Sequence, residues 1–390
     1  MSRAPYVVAL RALGLGDLLT GVPALRGIRR AWPGAELALA APAPGGRFLQ
    51  ELGVVDTVLP MSGLDEPVPA GGGPAPDVAV NLHGRGPQSH RLLEALGPRR
   101  LIAFACEQAG SDDGPDWDEQ EHEVDRWCRL VTAAGGACTR EDLRLQLPGA
   151  RYRPDAGHRA DVRAWKATGH GADAGDRADA RRPPGDVVVV HPGAASPSRR
   201  WPVARWQAVV RGLVDRGHPV VVTGVPAERD LCALVAAATP GVEDWCGRLD
   251  LRGLTDRVAS AGLLLCGDTG VAHLATAVGT PSVLLFGPTD PARWGPALDA
   301  HLHEVLWHPR DGDPAGDPHG AEVDVRLART GVDEVLLAAD RLLDDRPGAD
   351  GHATTDERDS ADRGATADRG RTADGRPYAD GAPNTPVRAG

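Results

Sequence analysis

Short apolar runs recur along the first third of the chain, separated by stretches whose apolar residues return every three or four positions. Tyr6–Leu10 is one such run, and in 17–32 the residues Leu18, Val22, Leu25 and Ile28 share a helical face that Pro33-Gly34 ends. Glu36–Ala41 reads as a second strand, 54–59 as a short third and 77–82 as a buried fourth, with a helix at 88–96. A strand at 101–105 and a helix at 121–134, with Val124, Trp127, Leu130 and Val131 on one face, complete this half. Strands that alternate with helices imply a mostly parallel sheet covered on both faces.

The rhythm stops at 154–186, where 160–166 can extend a helix but 169–186 is almost all Gly, Ala, Asp, Arg and Pro. So little apolar surface cannot offset the entropy of ordering the chain, so this stretch is expected to be a linker. The second half restarts the pattern. Strands are expected at 187–190, 220–223, 263–266 and 282–286. Helices are expected at 202–216, 227–238, Leu251–Ser260, Gly270–Val278 and 332–343. Two separate α/β sheets follow, 1–153 and 187–345. From 346 to 390 an Ala-Asp-Arg-Gly-like unit returns with no apolar residue to stack, which predicts a disordered tail.

Composition then narrows the partners. Asp and Glu number 54 against 43 Lys and Arg, so the net charge is −11 and no basic footprint for nucleic acid is expected. No run approaches the roughly 20 apolar residues of a membrane span, and the short apolar stretch at 6–10 does not make a secretory signal. The six cysteines form no CxxC pair, which suits buried free thiols in a cytoplasmic protein. Gly and Pro number 49 and 34, and Lys166 is the sole lysine, a bias that first reads as genomic.

Three segments carry candidate chemistry. Gly14-Leu15-Gly16-Asp17 follows the first strand and opens a helix, but Leu19 stands where a dinucleotide fingerprint needs its third glycine. Asp17 reads either as an N-cap or as a carboxylate at a cleft mouth available as a general base. His191-Pro192-Gly193 and then Arg199-Arg200-Trp201-Pro202 place two arginines before a helix, where guanidinium groups suit a diphosphate or stand as a solvated basic loop. The most specific segment is Asp268-Thr269-Gly270-Val271-Ala272-His273, followed by Phe286-Gly287-Pro288-Thr289. There the Thr269 hydroxyl and the N–H groups of Thr269 and Gly270 can cradle a phosphate, with His273 one turn along on the same face.

These blocks together resemble glycosyltransferase family 9, the ADP-heptose:lipopolysaccharide heptosyltransferases, over about residues 6–345. The resemblance implies a GT-B fold: two Rossmann-like domains facing across a cleft, the acceptor on the first and the nucleotide-sugar on the second. It implies metal-independent, inverting transfer with Asp17 as general base. Arg199 falls where the family usually has Lys and would stabilise the leaving diphosphate. Gly16, Arg200, Asp268, Thr269, Gly270 and His273 match substrate-binding positions, and Glu228 matches a Glu that contacts the nucleoside. The donor is then a nucleotide-diphosphate sugar, an ADP-sugar by preference, and the acceptor a glycan, a lipid-linked sugar or a small molecule, with no cofactor.

Departures from the family pattern lie at 43–76 and 106–120, which are rich in Gly, Pro and Asp where an acceptor loop is expected. No Asp pair precedes a loop in the manner of a metal-dependent transferase. His301, His303 and His308 could chelate a metal, though a strand face explains their spacing more simply. A cytoplasmic protein, peripheral at the inner membrane face, is the matching location. A nucleotide-sugar epimerase and a non-catalytic sugar-nucleotide-binding protein are the alternative readings.

Overall fold

In the computed structural model, residues 3–69, 74–147, 185 and 187–344 are described. Of the expected linker only Gly185 is described, and the rest of it and the expected tail lie outside the described residues.

The first domain runs β1 (Tyr6–Leu10), α1 (Leu15–Thr20), α2 (Val22–Ala31), β2 (Glu36–Ala41), α3 (Ala43–Glu51), β3 (Thr57–Pro60), β4 (Val78–Asn81), α4 (Gln88–Glu94), β5 (Arg100–Ile102) and α5 (Glu123–Ala133). Its strands pair in parallel in the order β3-β2-β1-β4-β5. The chain winds outward one way from β1 and then reverses to β4. The carboxyl ends of β1 and β4 therefore splay their loops apart and open a crevice, the usual ligand position in such sheets.

The second domain runs β6 (Val188–His191), α6 (Val203–Asp215), β7 (Val220–Val222), α7 (Arg229–Ala236), β8 (Glu243–Asp244), α8 (Leu251–Ser260), β9 (Leu263–Gly267), α9 (Gly270–Val278), β10 (Ser282–Leu285), α10 (Pro291–Trp294), β11 (His303–Leu306), α11 (Val325–Arg329) and α12 (Val332–Asp344). Its order is β11-β10-β9-β6-β7-β8, again parallel, so the reversal falls between β6 and β9.

Both sheets are buried on both faces, which is why their strands read as continuous apolar runs rather than alternating ones. Val7, Val8, Ala9 and Leu10 of β1 are all at most 1% exposed. Each Val or Leu side chain buried this way contributes roughly 1.5–3 kcal/mol. One apolar cluster runs without a break from Leu18, Leu19 and Val22 of the first domain to Val271, Leu274 and Ala275 of the second. The hydrophobic core thus joins the domains directly beneath the segments singled out above.

Two expectations change. The helix expected at 17–32 is two helices, broken at Gly21. A Cβ there would lie 2.7 Å from Cδ of Arg11, so only glycine lets the buried arginine pass, and Pro23 at the start of α2 cannot continue the α1 ladder. The segment read as a loop from residue 43 opens with α3, whose Phe48 and Leu49 are buried. Its glycines serve close packing: a Cβ on Gly46 would meet Val58 at 2.6 Å.

All six cysteines are free, four of them buried and Cys106 and Cys138 half-buried. Among the described residues, no helix is long and apolar enough to cross a membrane.

Candidate active site between the two switch points

Asp17 sits in the first turn of α1, whose N-cap is Gly14 and which has no side-chain cap. The N-cap reading of Asp17 therefore does not hold. Its carboxylate turns back toward Gly14, where a Cβ would lie 3.6 Å from Oδ2.

Behind this turn lies a fully buried arginine. Arg11 Nη2 donates to Thr20 Oγ1 at 2.9 Å and to Glu123 Oε1 at 3.0 Å, while its Nε and Nη1 donate to the carbonyls of Asp17 and Leu82. Glu123 also accepts from Trp127 Nε1 at 2.7 Å and pairs with Arg126. Arg11 lies 4.7 Å from the Trp127 ring and Arg126 lies 4.3 Å from Trp117. A charge buried this deeply is tolerable only when its hydrogen bonds are met, and here three of Arg11's nitrogens are occupied. The network ties the backbone of Asp17 to α5, over a hundred residues along the chain.

The second domain meets this turn through α9. A Cβ on Gly16 would come 2.8 Å from Cδ2 of His273, and one on Gly270 would come 2.8 Å from Cβ of Leu15 and 3.0 Å from N of Gly16. The two glycines let the domains touch backbone to backbone. His273 is buried, with its ring edge-on to Trp294 at 5.9 Å. Around the contact, His122 Nε2 donates to Gly295 O at 3.1 Å, Arg293 pairs with Glu119 at 2.8 Å and Arg144 grips Asp299 with two bonds of 2.8 Å.

These surroundings set the charges. Burial raises the Asp17 pKa, as does Glu123, while Arg11 and His273 oppose the shift. Burial pushes His273 down to about 4, so it is neutral near pH 7. Asp268 is raised chiefly by burial, against the pull of Arg199 and a hydrogen bond from Thr289.

The other candidates divide into two places. Thr269 is the N-cap of α9, it is half-buried and its hydroxyl makes no cap bond to the helix's first amides. Arg199 stands beside them, its Nη1 3.3 Å from Asp268 O and 3.9 Å from Asp268 Oδ2. Its Nε is buried and has no partner among the described residues. Arg200 does not join it: its Nε donates to Ala194 O at 2.8 Å, folding the side chain back on its own loop. Glu228 lies apart, under Gly193 and Gly224, accepting from Val225 N at 2.9 Å with His191 Nε2 3.8 Å away. Of the three histidines read as a possible chelate, His303 Nδ1 bonds Ser282 Oγ at 2.8 Å and His308 Nε2 bonds Glu334 at 3.0 Å.

Sequence reasoning missed Arg11, Glu123, Arg126 and His122. Arg11 had a signal: it is a charge placed directly after the apolar run Val7–Leu10 of a strand buried on both faces.

Residues 115–310, half of the chain, match the family description glycosyltransferase family 9 (heptosyltransferase). The chain belongs to glycosyltransferase family 9. Among curated relatives, a lipopolysaccharide heptosyltransferase 3 of Escherichia coli is 35% identical over 115 residues, covering 28% of this chain and 34% of that protein. A lipooligosaccharide heptosyltransferase 2 of Haemophilus influenzae is 27% identical over 163 residues, covering 38% and 47%. The matched stretch thus spans a third to a half of these relatives. Two solved structures share the fold over nearly their whole length. One is the E. coli ADP-heptose lipopolysaccharide heptosyltransferase II, with TM-score 0.64, 18% identity and coverage of 87% of this chain and 98% of that one. The other is a family 9 glycosyl transferase from Veillonella parvula, with TM-score 0.68, 17% identity and coverage of 88% and 98%. The two parallel-sheet domains of this family 9 chain therefore form a GT-B fold.

Proposed function

We propose that the protein transfers a heptose from an ADP-linked donor to a hydroxyl of a lipopolysaccharide core, with inversion at the anomeric carbon. The known relatives, a lipopolysaccharide heptosyltransferase and an ADP-heptose heptosyltransferase, motivate the donor and acceptor. One observation carries the mechanism: the α1 turn that holds Asp17 on one domain lies against the first turn of α9 on the other, through the contacts of Gly16 with Gly270 and His273.

In this reading 1–153 is the acceptor side and 187–345 the donor side. The donor diphosphate lies at the N-terminus of α9, against the amides of Thr269 and Gly270 and the Thr269 hydroxyl. Arg199, whose side chain is partly exposed, supplies the positive charge. Glu228 sits deeper, where a ribose would reach it.

The acceptor oxygen attacks the anomeric carbon as Asp17 takes its proton. The new bond is oxygen to anomeric carbon. The bond that breaks joins that carbon to the diphosphate, and its electron pair leaves on ADP. Negative charge then grows on the phosphate oxygens, where Arg199 and the α9 amides are already oriented, so little reorganisation is needed. No metal is required for this balance. Direct attack on the face opposite the departing diphosphate inverts the anomeric carbon. Burial favours Asp17 as a base because a raised pKa strengthens its pull on the proton.

The test is Asp17→Ala. Transfer from ADP-heptose should fall about 10²–10⁴-fold, while ADP affinity, measured without metal, stays within a few-fold. Undiminished transfer would remove Asp17 from the mechanism, and failure to bind ADP in the wild-type protein would remove the donor.

A further inference from the structure

The two domains use their switch points alike, with one exception. In the second domain both loops at the reversal are employed: the one after β6 leads to Arg199, and the one after β9 holds Asp268 and Thr269. In the first domain the loop after β1 carries Asp17, but the loop after β4 has so far no part. Its first side chain beyond the strand's apolar end is His83.

His83 is held in one orientation. The amide of Ala12, on the β1 loop, donates to its Nδ1 at 3.2 Å. Its own backbone N–H donates to Asn81 Oδ1 at 3.0 Å. Asn81 is in turn fixed by Ser89 Oγ at 2.9 Å and the Gly84 carbonyl at 3.1 Å. An amide can only donate, so Nδ1 must be the ring's acceptor. A neutral imidazole in that position carries its proton on Nε2. Burial and, secondarily, the nearby Arg11 lower the His83 pKa to about 4, so the neutral ring is the form present near pH 7. The side chain is half-buried, and Nε2 has no hydrogen-bond partner among the described residues.

We infer that His83 is an acceptor-binding residue: its Nε2–H donates to a sugar oxygen of the acceptor in the β1/β4 crevice, orienting the neighbouring hydroxyl toward Asp17. The inference rests on the proposed transfer and adds to it the group that reads the acceptor. A neutral donor suits this place. It fixes an uncharged hydroxyl or ring oxygen and adds no charge beside the carboxylate that must accept the proton.

Two substitutions separate this role from a structural one. His83→Asn keeps a carbonyl that can accept from Ala12 N–H but loses the outer donor. His83→Gln reaches the outer position with an amide N–H and gives up the inner bond. With ADP-heptose and a deacylated lipopolysaccharide core from heptose-deficient cells, His83→Asn and His83→Ala should raise the acceptor KM about three- to tenfold. His83→Gln should restore it to within about twofold, and ADP affinity should be unchanged in all three. Rescue by Asn and not Gln, or equal KM values throughout, would overturn the inference. The ring is also tested without any acceptor, by nitrogen NMR of labelled histidines. A neutral Nε2–H tautomer at pH 7 is expected, and an Nδ1–H tautomer or an imidazolium would overturn it. A wild-type protein that transfers nothing to this core would instead count against the proposed acceptor, while the NMR result still decides His83.

Discussion

A methyl group on Gly16 would lie 2.8 Å from Cδ2 and 3.3 Å from Nε2 of His273, although the two residues belong to different domains. His273 cannot easily yield, since it is buried and packed edge-on to Trp294. Glycine at 16 thus sets how near the α1 turn that carries Asp17 can come to the first turn of α9.

Gly16→Ala should therefore separate the two halves of the site without unfolding either. Each domain keeps its own sheet, so overpacking should cost about 1–3 kcal/mol. Transfer should fall tenfold or more, about 1.4 kcal/mol in the barrier. Denaturant melts and steady-state rates on the same preparation check this. Full activity would show that the contact is not needed in the reacting state.

Asp17 should lower stability in exchange for reactivity. Its folded-state pKa is raised, chiefly by burial, so the folded protein binds its proton more tightly than the unfolded chain. The stabilisation from that proton is present below the ordinary carboxylate pKa of about 3.9 and is lost as pH rises through the raised value. Asp17→Asn, which never ionises, should melt higher than the wild type at pH 8, and the gap should close toward pH 4. A variant that melts lower at pH 8 would mean that Arg11 and His273 outweigh burial.

Arg199 is where composition meets the chemistry. Arg199→Met should lower kcat by about 10²–10³, as loss of a charge-stabilising donor does. Arg199→Lys, which restores the residue common in the family, should recover most of that rate. Rates at saturating donor, compared with ADP affinity, distinguish a role in the leaving step from one in binding. If the Met variant matches the wild type in both, Arg199 does not touch the diphosphate.

Much of this architecture was legible in the chain. Leu251–Ser260 and Gly270–Val278 are helices with the very ends their patterns suggest, because caps and turns such as Asp250 and Gly279 are local signals. The α3 helix was not legible. Its Gly and Pro content resembles a loop, and only the neighbouring Leu18 and Val58 show that the glycines make room for packing. Arg200 reads beside Arg199 as a substrate-binding residue, yet a backbone carbonyl at Ala194 draws its side chain back onto its own loop while Arg199 reaches Asp268.

The sequence by itself determined the two α/β halves, the positions of the loops after β1, β6 and β9, and the residues Asp17, Arg199 and Thr269 within them. Periodicity and turn chemistry are encoded locally, so a single chain carries them. Tertiary structure alone decided that Arg11 would be clamped by Glu123, that Gly16 would rest against His273 and that His83 would take the Ala12 N–H on its Nδ1. Each of these joins residues far apart in the chain. Each follows from what burial does to charge and from how closely two backbones approach, and neither quantity exists until the sheets have formed and met.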